Sequence, residues 1–114
     1  MTQQYEQAIH SYQLAIKLNP ASAECHFNLA SAYNDSGDNV NSMVHYKEAQ
    51  KLDPENVDTI LNIAETHEKL NEHFDAFNAY RQARTLQNNN VKALEGIEKL
   101  KPTLDAKGIK YTVD

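Results

Sequence analysis

The residues with the most reactive side chains are Cys25 and His26, adjacent in the chain, and five histidines spread along it. A thiol beside an imidazole becomes a nucleophile and its base only when the two are hydrogen-bonded, and neighbours on a helix point about 100° apart. Cys25 therefore reads as a small, half-buried packing residue. His10, His26, His45, His67 and His73 include no pair three or four residues apart, the spacing that sets two ligands on one helical face. No metal or other cofactor is expected. The three glycines are not grouped, so no phosphate-cradling loop is written here, and no catalytic residue is predicted. What remains is Asn28 and Asn62, whose amides each offer a donor and an acceptor and so can satisfy both polar groups of another backbone.

The elements that must position these residues repeat. Displaced by 34 residues, the chain aligns Tyr12 with Tyr46 and Tyr80, Ala15 with Ala49 and Ala83, and Leu18 with Leu52 and Leu86. Ala8, Ser42 and Ala76 fall together, as do Leu29, Ile63 and Ile97. Apolar residues recur at spacings of three and four within each unit, which predicts helices over 4–18, 22–36, 39–52, 57–70, 73–86 and 90–101. Ser22, Asn56 and Asn90 stand where a helix start needs a side-chain acceptor. Gly37 and Asn71 stand where a helix end needs a left-handed residue. Pro20 and Pro54 stop the preceding helix, and Pro102 is read as ending the last one. Residues 1–101 form the repeat domain in this reading, and 102–114 a C-terminal tail.

This pattern resembles the tetratricopeptide repeat, a 34-residue helix–turn–helix unit. Leu29, Ala30, Tyr33, Ser42, Tyr46 and Pro54 follow its signature in one unit. Ile63, Ala64, His67, Ala76, Tyr80 and Asn88 follow it in the next, and Ala8, Tyr12, Ala15 and Pro20 supply the second half of an opening one. Departures are His26 and Ile60 at the Trp position, Ser42 at a usual Ala, His67 at a usual Tyr and Asn88 at the usual Pro. The resemblance implies an all-α fold, a right-handed superhelix of antiparallel helix pairs with about two and a half repeats and a capping helix.

It further implies that the first helix of each unit lines a concave groove for an extended peptide. There Asn28 and Asn62 would grip the peptide backbone, in a ladder that resembles the substrate-holding repeats of O-linked N-acetylglucosamine transferases. Phe27, Leu61 and Tyr33 would add apolar contact. Glu24, Asp58, Glu65 and Glu68 would give negative charge on or near the groove, with Lys69, Lys92 and Lys99 partly offsetting it. Relatives that grip the carboxylate end of chaperone tails use lysine, asparagine and arginine. Here Asn62 and Lys92 match that clamp, whereas Phe27, Ser31 and Gly96 replace its other members, so acidic tails are disfavoured.

Composition agrees with an interaction module. The 114 residues are 40% hydrophobic and 24% charged, with a net charge of −5. No basic stripe invites nucleic acid, and no apolar run is long enough for a membrane span. A lone cysteine cannot form an internal disulfide, which suits a reducing, cytoplasmic setting. The expected partner is another protein or peptide. Because the chain opens in mid-repeat, Tyr5, Ile9, Tyr12 and Ile16 are expected to lack cover. The alternative function is therefore self-association within a larger assembly, through that N-terminal helix. A targeting domain cut from a multidomain enzyme is the third reading.

Overall fold

The computed structural model describes residues 3–111. Among these residues there are six α-helices and no strand. They are α1 (Gln3–Leu18), α2 (Ala23–Asp35), α3 (Asn39–Leu52), α4 (Val57–Lys69), α5 (His73–Leu86) and α6 (Val91–Ala106). The chain divides into two compact units, Met1–Thr59 and Ile60–Asp114.

The punctuation behaves as its chemistry requires. Ser22 Oγ accepts the Cys25 N–H at 3.2 Å, Asn56 Oδ1 that of Thr59 at 3.3 Å, and Asn90 Oδ1 that of Ala93 at 2.9 Å. Each takes up a donor that the first helical turn leaves without a partner. Gly37 (φ 90°) and Asn71 (φ 61°) both adopt the left-handed conformation. Behind Asn71, the Glu72 N–H reaches back to the His67 carbonyl at 2.8 Å and closes the end of α4.

In the first unit, α1 packs on α2 and α2 on α3. Ile9, Leu29 and Ala32 form a buried cluster, with Ala8, Tyr12, Ile16 and Tyr33 packed against it. This corrects one expectation: Ile9, Tyr12 and Ile16 do not form a bare face, because α2 covers them. The apolar side chains that α1 leaves in solvent are Leu14 and Leu18. Tyr5 is half-buried and also engaged in a contact. Between α2 and α3 lies a polar stack. The His26 and His45 rings are 5.5 Å apart and nearly parallel, and Tyr33 stacks on the other partner, His45, at 5.9 Å.

In the second unit, α5 packs on α6 over Ala76, Phe77, Tyr80, Ala83, Ala93, Ile97, Leu100 and Leu104, all buried. Pro102 does not end α6, which runs on to Ala106. Proline inside a helix costs roughly 3 kcal/mol through its missing N–H and the clash of its ring. Here it lies on the solvent side, and continuing the helix buries Leu104 completely, extending the apolar stripe of Ala93, Ile97 and Leu100. The following residues are not a loose tail either. At Gly108 (φ 70°) the chain turns back, the Ile109 N–H donates to the Leu104 carbonyl, and the Tyr111 ring meets Phe77 edge-on at 4.8 Å. Residues 112–114 of that segment lie outside the described residues.

Candidate peptide-binding site

The capped start of α2 and the turn into α4 together shape a cavity in the first unit. It measures about 350 Å³ and is lined by Ala23, Glu24, Phe27, Asp53, Asn56, Asp58 and Thr59. Phe27 provides the apolar wall, its ring held edge-on by Tyr46 at 5.5 Å. Glu24, Asp53 and Asp58 are exposed around it, and neither lysine nor arginine is among the lining residues. Three carboxylates beside an aromatic ring favour a cationic side chain, through charge and through the negative face of the ring.

The second unit has a cavity of about 290 Å³, lined by Glu65, Tyr80, Lys92, Glu95, Gly96 and Lys99. Its base is a hydrogen-bonded chain. Tyr80 donates to Glu68 Oε2 at 2.5 Å, and Lys99 Nζ lies 2.7 Å from Glu68 Oε1. Burial pushes the Tyr80 phenol well above its ordinary value, reinforced by the bond to Glu68 and the charges of Glu68 and Glu65. Gly96 makes this packing feasible: a Cβ there would come within 2.5 Å of the Tyr80 ring carbons.

Of the residues named from the sequence, Glu24, Phe27 and Asp58 line the first cavity, and Glu65 and Lys92 line the second. Asn28 and Asn62 are each half-buried, and Asn62 is already engaged within the fold. Three others are taken up by packing. Leu61 is 6% exposed and belongs to the core. Ser31 shares a 3.0 Å hydrogen bond with the Tyr46 hydroxyl. Tyr33 stacks on His45 while its hydroxyl accepts from Gln13 at 3.2 Å. Lys99, expected near the groove, lines the second cavity, while Asp53, Asn56 and Glu95 were missed as lining residues. The loop positions 53 and 56 carry helix-end signals that mask any other role, while Glu95 and Lys99 lie one and two turns beyond Lys92, on the same face of α6.

One further cluster lies at the α4–α5 turn. His67 Nδ1 is 2.9 Å from Glu72 Oε1, and the potential metal-ligating atoms of His67, Glu72 and Asp75 lie within 4.8 Å of one another. Among the described residues no helix is long and apolar enough to cross a membrane.

No curated protein matches the chain by sequence. A TPR repeat family model matches residues 2–37, and a tetratricopeptide repeat model matches residues 23–56. Among solved structures, the first TPR of Spaghetti (RPAP3), bound to the HSP90 peptide SRMEEVD, is similar with a TM-score of 0.84 and 20% identity. That likeness covers 90% of this chain and 81% of the other. The Arabidopsis OM64 TPR domain is 27% identical, with a TM-score of 0.80 over 87% of this chain and 82% of its own. The second TPR domain of human RPAP3, in complex with the HSP70 peptide SGPTIEEVD, is 23% identical, with a TM-score of 0.79, and the coverages are 85% and 81%. The 34-residue register, the caps, the small residues between helices and these matches agree: residues 2–56 match tetratricopeptide repeat models, and the described residues have the all-α fold of TPR domains.

Proposed function

We propose that this chain is a non-catalytic protein–protein interaction module that holds an extended, neutral or basic segment of a partner protein. The observation that carries the reading is the cavity around Phe27, where Glu24, Asp53 and Asp58 stand beside an aromatic wall and no lysine or arginine lines the space. Two similar structures hold acidic chaperone peptides. An acidic tail would meet like charge in this cavity. Ser31, at one position of the carboxylate-gripping clamp, is bonded to Tyr46, and Gly96, at another, has no side chain to offer. Asn28 and Asn62 remain the proposed grips on the partner's backbone, each half-exposed in its own unit.

The test is a titration of the chain with extended peptides of one length that differ only in charge. Lysine- or arginine-bearing peptides should bind more tightly than neutral ones, and a glutamate-rich peptide least. Glu24→Gln with Asp58→Asn should remove the preference, and Asn28→Ala with Asn62→Ala should weaken all peptides alike. Preferred binding of the acidic peptide would sink the proposal.

A further inference from the structure

The imidazoles of His26 and His45 meet across the α2–α3 interface with their Nδ1 atoms 3.3 Å apart. On its other side, His26 Nε2 lies 3.3 Å from the Pro20 carbonyl oxygen. A carbonyl can only accept, so His26 Nε2 must hold a hydrogen. In the neutral ring Nδ1 is then bare, and the hydrogen between the two rings belongs to His45 Nδ1. One carbonyl thus fixes both tautomers when both rings are neutral.

An N–H on both Nδ1 atoms would set two donors against each other, at a residue, His26, only 8% exposed. A proton on His45 Nε2 would leave the shared bond intact but place a full charge inside the stack of His26, His45 and Tyr33. The titratable groups around His45 are His26 and Tyr33 on α2 and Glu48 one turn along α3. The contact from α1 to this stack is neutral, the Gln13 amide on the Tyr33 hydroxyl. Burial, followed by the neighbouring His26, lowers the affinity of His45 for a proton, and Glu48 only partly restores it.

The repeat supplies its own control. At the positions 34 residues on, the second unit has Ile60 and Ala79, both buried and neither able to titrate. The fold therefore does not require a polar pair at this place.

We propose that the His26–His45 pair is an acid-sensitive latch between α2 and α3, holding the first unit together when both rings are neutral and loosening it when His45 takes up a proton. The sign follows from linkage. A base whose proton affinity is lowered by folding is stabilising above its unfolded value near 6.5, and that stability is lost as pH falls below it. The latch concerns the conformation of the first unit and stands apart from what its cavity binds.

The experiment compares the wild-type chain with His26→Ile/His45→Ala, the residues of the following repeat, in urea unfolding from pH 7.5 to pH 5.5. The wild type should show a several-fold larger rise in its unfolding constant across this range than the variant. The other three histidines are common to both proteins and cancel. Parallel pH profiles would overturn the latch. Should the variant not fold, a proton NMR titration of the wild type decides alone. His45 titrating well below the ordinary imidazole value near 6.5 sustains the proposal, and a midpoint at or above that value would refute it.

Discussion

Tyr46 and Tyr80 occupy the same position 34 residues apart, are both nearly fully buried, and bond to different partners. In the first unit the Tyr46 hydroxyl meets the hydroxyl of Ser31. In the second the Tyr80 hydroxyl gives its hydrogen to Glu68, which also holds Lys99, and the ring lies against Gly96. One repeat solves the burial of a phenol with a neutral neighbour, the other with a charged chain that reaches the surface. The lesson is that the repeat prescribes the ring and leaves its polar tip to local chemistry. The two cavities differ in the same way. Glu24 and Asp58 at the second position of their helices are acidic, whereas the corresponding Lys92 is basic.

The largest effect on this comparison should come from Gly96→Ala. The added methyl group must displace the Tyr80 ring, and overpacking of this kind costs about 1–3 kcal/mol. Chemical denaturation would measure it, and an unchanged midpoint would show that the ring moves freely. Next come the two tips. Glu68→Ala leaves a buried phenol without its acceptor and should cost about 1–2 kcal/mol, while Ser31→Ala removes a neutral bond worth about 1 kcal/mol. Lys99 is mostly exposed, and its loss should be nearly silent. Equal losses for Glu68→Ala and Ser31→Ala would erase the distinction between the two solutions.

A further small effect has the opposite sign. Ser42 is fully buried, and its Oγ has no hydrogen-bond partner among the described residues, whereas the aligned residue is Ala76. Ser42→Ala removes an unsatisfied hydroxyl and should stabilise the first unit by up to about 1 kcal/mol. A destabilised variant would reveal a bond that the hydroxyl makes.

Much of this could be read before any coordinates. The caps at Ser22, Asn56 and Asn90 and the left-handed Gly37 and Asn71 depend on a residue and its next three or four neighbours. Such interactions are local, so residue type and spacing determine them, and the 34-residue period follows from their recurrence. Glu24, Phe27, Asp58, Glu65 and Lys92, expected at a groove from the resemblance, line cavities, the first three in the first unit and the other two in the second.

Other features required the helices to be packed. Residues of the same type and period can line a groove or fill a core, and only the neighbouring helix decides between them. Leu61 was buried by that choice, and Ile9, Tyr12 and Ile16 were covered by α2. Pro102 carries a strong local stop signal, yet burial of Leu104 two residues later prevails, because tertiary contacts exceed the local cost. His26 and His45 are 19 residues apart and share no motif, so no spacing rule joins them. The sequence determined the helices, their ends and their repeat, since those rest on short-range hydrogen bonds and apolar period. Tertiary structure alone decided which polar groups meet, because a contact between two helices depends on how both are rotated and packed.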